Sequence, residues 1–191
     1  MSDLQTLVNA IPDAQDGNII TSNYHNTVKA ALQAMASQLE AAAPGSQTVN
    51  LTVQPNFAAI SGATAWTVAL GVATSAAGSN GFIPLNLPDG ATINQMVAIG
   101  AQTSPAAKGF ASLLVMPLGG TAGTTLILID LSTGGNPFTL TGSPSVPGLT
   151  ASALKDMETV QNSLFKYAIQ SEVLGAGVTI NAFQVGYTTA G

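Results

Sequence analysis

The chain has 191 residues, and only 7% of them are charged, against about 25% in an ordinary domain. Four lysines (Lys29, Lys108, Lys155 and Lys166) stand against nine acids, with no arginine, no cysteine and one histidine. This composition excludes a phosphate-tracking basic stripe for nucleic acid and a disulfide framework or Cys-ligated metal. It also leaves His25 alone, without the makings of a Ser-His-Asp triad. Mean hydropathy is +0.37, yet a membrane-spanning helix needs about 20 apolar residues. The longest weakly polar stretch, Ala63 to Gly78, is broken by Thr64, Thr67, Thr74 and Ser75, so no membrane partner is expected. MSDLQTLVNAIPDAQDG lacks the charged start and apolar core of a signal peptide.

In chain order, Leu4 to Ile11 is a short apolar segment ahead of the breaker Pro12 to Gly17. A helix is predicted over about 22–43: Thr21 or Ser22 can cap it, its body is rich in Ala, Gln, Leu and Met, and Pro44-Gly45 stops it. Val28, Leu32, Met35 and Leu39 recur at spacings of 4, 3 and 4, a heptad-type seam. Two readings of that seam stand open. It packs on the chain's own downstream domain, or it forms an oligomer bundle or docks on a larger assembly.

After Gly45 the period changes to 2. Val49, Leu51 and Val53 alternate with threonines and Asn50, giving a strand with one buried face. Trp66, Val68, Leu70 and Val72 share a face of the next predicted strand, with Trp66 in the core. A strand reaching Leu87 turns at Pro88-Asp89-Gly90 and resumes at Ala91. Strands follow at Phe110–Leu118 and Thr124–Leu131. The unbroken run Leu126-Ile127-Leu128-Ile129 suggests burial on both faces. The Gly/Pro-rich segment 132–150 reads as a loop with at most one short strand at Phe138–Leu140. Residues 150–163 fit a helical turn or a strand equally. The last two strands bury Phe165, Tyr167 and Ile169, then Phe183, Val185 and Tyr187.

About eight strands between Gly- and Pro-rich turns predict a mainly β fold: an antiparallel β-sandwich preceded by one N-terminal α-helix. The domains expected are an N-terminal segment, 1–45, and a sandwich, 46–191.

AIPDAQDGNIITSNYHNTVKAAL (10–32), NLPDGATINQM (86–96), SLFKYAIQ (163–170) and VTINAFQVGYT (178–188) together resemble structural proteins of tailed-bacteriophage virions. The resemblance covers most of the chain in outline, through short degenerate pieces. It implies a jelly-roll-like domain behind an anchoring segment, in a homotrimeric capsid-decoration or head-fibre protein on the particle surface. The partners would be phage capsid or tail proteins. Ile19, Tyr24, His25, Val28 and Leu32 would dock the chain, with Met35 and Leu39 continuing the seam. The alternative is a tail-fibre or baseplate module binding a receptor or a host glycan, for which Asn136 and Phe138 are the suggestive loop residues.

No catalytic, cofactor or metal site is expected. His25 reads as a capping or packing side chain. Asp156 and Glu158 would share a face only in a strand, and the glycines of GGTAG and STGGN lie in turn contexts, with no P-loop. The expected protein is therefore non-enzymatic.

Overall fold

The computed structural model describes residues 22–42, 46–104, 107–120 and 122–189. The chain divides into two units at Gly45–Ser46.

The first unit contributes helix α1, Ser22–Ala42. Thr21, Ile19, the apolar segment 4–11 and the Pro44-Gly45 stop lie outside the described residues. Tyr24 and Leu39 lie in α1, but side chains are described only for 25–37. Along that stretch His25, Lys29 and Gln33 are half-buried and Ala36 is buried. The seam residues Val28, Leu32 and Met35 are 41%, 40% and 65% exposed. No described helix is long and apolar enough to cross a membrane.

The second unit is a sandwich of two antiparallel sheets. Its strands are β1 (Gln47–Val53), β2 (Ala58–Ala59), β3 (Thr67–Ala69), β4 (Val72–Thr74), β5 (Ser79–Leu85), β6 (Thr92–Gln102), β7 (Gly109–Pro117), β8 (Thr124–Asp130), β9 (Phe138–Gly142), β10 (Phe165–Val173) and β11 (Val178–Thr189). One sheet runs β3-β4-β11-β6-β9, with β1 also on β11; the other runs β2-β5-β10-β7-β8. With the three shortest strands set aside, the sheets become β1-β11-β6-β9 and β5-β10-β7-β8. The first strand pairs with the last, and successive strands alternate sheets until the β7–β8 hairpin. That is the jelly-roll order of two nested Greek keys.

Alternation explains the core. Ile83 and Leu85 on β5, Leu113 and Val115 on β7, and Tyr167 and Ile169 on β10 point inward against Ile93, Met96, Phe183 and Val185 of the facing sheet. Phe57 stacks on Trp66 at 4.8 Å and meets Phe183 edge-on at 6.0 Å. Burying each such side chain stabilises the fold by about 1.5–3 kcal/mol. Ile180 and Phe183 are three apart yet both fully buried. A bulge between Ile180 and Ala182 resets the alternation so that both face inward.

Several expectations need correcting. The run from Trp66 to Val72 is not one strand with one buried face. It breaks into a β3–β4 hairpin pairing Ala69 with Val72 across Leu70-Gly71. Both loop residues have positive φ, +51° and +77°, as a two-residue type I′ turn requires. Leu70 is consequently 104% exposed and Val68 39% exposed. Trp66 itself is buried, and its Nε1 donates to the Ser171 carbonyl at 3.3 Å. In β8 burial is not two-faced throughout. A bulge opposite Leu113–Leu114 turns both Leu126 and Ile127 inward, while Leu128 stays 55% exposed.

Within 150–163, helix α2 spans Ala151–Glu158, capped by Thr150, whose Oγ1 accepts from the Ala153 amide at 3.3 Å, and Thr159 then makes an antiparallel bridge to Thr92. Phe138 is buried in the core at the start of β9, so it is not a loop contact for a glycan. The Pro88-Asp89-Gly90 turn forms as expected, with Gly90 at φ +75° and the Ala91 amide donating to the Pro88 carbonyl. Asp89 Oδ1 accepts from the Asn162 amide at 2.8 Å.

Candidate functional site

A solvated antiparallel sheet normally alternates apolar-in with polar-out. The outer face of β5-β10-β7-β8 departs from that rule. Strand register arranges its outward side chains in rows across the sheet. One row is Phe82–Gln170–Ser112–Leu128, and the next is Pro84–Ala168–Leu114–Thr125. On one side of these lies Asn80–Glu172–Phe110–Asp130, and on the other Lys166–Met116. Phe82 and Phe110 are 38% and 43% exposed. Leu114 and Met116 are half-buried.

Ala168 makes the face concave. It is outward-pointing but small and almost fully covered, so it floors a groove of about 470 Å3. Phe82 and Pro84 of β5 form one wall, Leu114 and Met116 of β7 the other, and Lys166 and Gln170 lie along the floor strand. Two shallower hollows, of about 290 and 370 Å3, carry the depression across Thr125 and Leu128 toward Ser143 and Ser145. The Ser145 amide donates to the Leu126 carbonyl at 2.8 Å, so this segment shields part of the free edge of β8.

Polar groups on the face are few. Gln170 Nε2 donates to Asn80 Oδ1 at 3.0 Å. The Asp130 carboxylate accepts from the Ser132 amide at 2.9 Å and caps the short 3-10 turn at 131–133. Beneath the groove, burial pushes the Tyr167 hydroxyl above the usual phenol range. The Gln161 amide, donating to the phenol oxygen at 2.9 Å, opposes that shift, and the Asp89 charge adds to it.

Among the described residues, no group of three His, Asp or Glu could hold a metal. Asp156 and Glu158 sit on helix α2, where residues two apart diverge. His25 is half-buried in α1 and has an interaction within the chain.

The expected docking residues all belong to the N-terminal segment. The sheet face was missed by sequence reasoning, although a signal existed. In FASLLVMP the residues alternating with the inward Ala111, Leu113 and Val115 are Phe110, Ser112, Leu114 and Met116, three of them apolar where a solvated strand would carry polar residues.

No family model matches the chain, and no curated protein matches it. Among solved structures the chain is similar to a xylan-binding module, CBM15, at a TM-score of 0.46 and 15% identity, over 73% of this chain and 97% of that one. It is also similar to Xylanase10C from Cellvibrio japonicus in complex with xylopentaose, at a TM-score of 0.42 and 12% identity. That match covers 75% of this chain and only 27% of the xylanase.

Proposed function

We propose that this chain is a non-enzymatic structural protein of an assembled particle, of the tailed-phage virion kind that its sequence resembles. In this reading it stands on the particle surface, and other protein covers the outer face of β5-β10-β7-β8. The observation that supports it is that face: Phe82, Phe110 and Leu128 are exposed beside Leu114 and Met116. Exposed apolar side chains clustered on one face mark interfaces on soluble proteins. A chain with only 7% charged residues also suits close packing of many copies, because like charges would repel.

The seam Val28, Leu32 and Met35 offers a second contact, either a homotrimeric bundle or a dock on capsid or tail protein. Ile19, Tyr24, His25 and Leu39 extend that surface by sequence. Sedimentation of the full chain over a concentration series tests assembly: oligomers are expected, and a monomer at every concentration would refute it. Immunogold labelling of particles carrying the chain tests the location.

A second reading is favoured by the groove itself. Its volume of about 470 Å3 lies in the range of ligand sites. Its apolar walls and the Lys166 and Gln170 side chains would suit a host glycan on a tail module. Titration with a glycan array separates this reading from the first.

A further inference from the structure

We infer that the outer face of β5-β10-β7-β8 packs against the same face of a second copy, about a two-fold axis lying across the strands at Ile169. This rests on the assembly reading above and specifies its partner and geometry.

Within the paired rows of the face the unengaged charges are Lys166 and Glu172, both exposed and neither with an ion-pair partner among the described residues; exposed Lys108 lies just beyond these rows, before β7. The third charge, Asp130, already caps the 3-10 turn. Lys166 and Glu172 lie on the central strand β10, six residues apart, or about 20 Å. They sit symmetrically about Ile169. A two-fold axis across the strands makes the two β10 strands antiparallel, so each Lys166 faces the other copy's Glu172. An axis along the strands would instead oppose Lys166 to Lys166 and Glu172 to Glu172. Charge therefore selects the first arrangement.

The remaining rows agree with it. Exchange about Ile169 sets the row of Glu172 against the row of Lys166, so Phe110 meets Met116 of the other copy. Sulfur–aromatic contacts of this kind are favourable. It sets Gln170 over the hollow above Ala168 and Phe82 against Pro84. Such self-complementarity defines an isologous interface.

The size also suffices. The four strands of the face, with 7, 9, 9 and 7 residues at ~4.8 Å spacing and ~3.3 Å rise, give a footprint on the order of 500 Å2 per copy. The pair then buries on the order of 1,000 Å2, which matches the ~1,000 Å2 that a specific interface needs. Face-to-face sheets pack about 10 Å apart, a gap that Lys and Glu side chains together bridge.

The test is a charge-reversal cycle on the full chain, read by sedimentation equilibrium, with thermal melts to check folding. The wild type should contain an even number of copies. Lys166→Glu and Glu172→Lys should each raise the dissociation constant at least about tenfold, because symmetry repeats every lost pair. The double reversal should restore wild-type association. So should an equimolar mixture of the two single variants, since one copy then carries two acids and the other two lysines. An oligomer indifferent to every reversal would overturn the two-fold contact and leave assembly through α1 standing. Folded single variants that weaken association without rescue by the double reversal would overturn it as well. A wild type that stays monomeric would overturn both this inference and the assembly reading. So would a monomer whose groove takes up a glycan.

Discussion

Leu70 offers the cleanest perturbation in the sandwich. It occupies the first loop position of the β3–β4 hairpin at φ +51°, and Gly71 follows at φ +77°. A β-carbon makes the left-handed region unfavourable by roughly 1–2 kcal/mol for an ordinary side chain, while Asn tolerates it. Asn-Gly is also the preferred sequence for this turn. Leu70 is fully exposed, so its replacement loses no packing within the chain. Leu70→Asn should therefore stabilise the fold by about 1 kcal/mol, raising Tm by about 2–4 °C for a protein of this size.

Gly71→Ala is the opposite control. It keeps the positive φ but adds a Cβ 3.0 Å from Gln54 Oε1, and Tm should fall. Calorimetry of both variants is the assay. A lower Tm for Leu70→Asn, with an unchanged far-ultraviolet spectrum, would refute the strain reasoning.

The other predictions concern the core, the site and pH. Phe183→Ala removes a fully buried ring from the inter-sheet core and should cost about 3–5 kcal/mol in chemical denaturation. Leu128→Thr removes an exposed apolar group from β8 while keeping a good strand former. It should leave the melting curve within about 0.5 kcal/mol of wild type and weaken self-association measured by sedimentation. Tyr167 titrates higher in the fold than in the unfolded chain. The stability it contributes is therefore complete below ~10, the unfolded phenol value, and is lost as pH rises through the folded value. Tyr167→Phe should flatten the fall of Tm at alkaline pH; an equally steep fall would remove Tyr167 as its cause.

Strands with a regular period of 2 were legible in the sequence. Val49, Leu51 and Val53 are half-buried against the core, and Phe183, Val185 and Tyr187 are buried in it, as alternation alone required. Thr150 could cap a helix, but 150–163 fits either period, so local chemistry did not choose between helix and strand there. Errors came where two residues changed phase. Leu70-Gly71 reversed the chain in the middle of an alternating run, and the bulge opposite Leu113–Leu114 turned Leu126 and Ile127 to the same side. A period carries no record of such a slip, because both residues remain apolar on either side of it.

The shortage of charge and the helix seam were written in the sequence. Which apolar residues stay uncovered was not. Phe110, Leu114 and Met116 look like core until β7 is placed between β10 and β8, with Ala111, Leu113 and Val115 already filling the inside. Likewise Ala168 is an ordinary alanine until Pro84 and Leu114 flank it and leave a hollow above it. Composition and period fix which residues favour burial, since transfer from water is a property of each side chain. Only strand order and register decide which of them find a partner within the chain, because a sandwich has one inside and two faces.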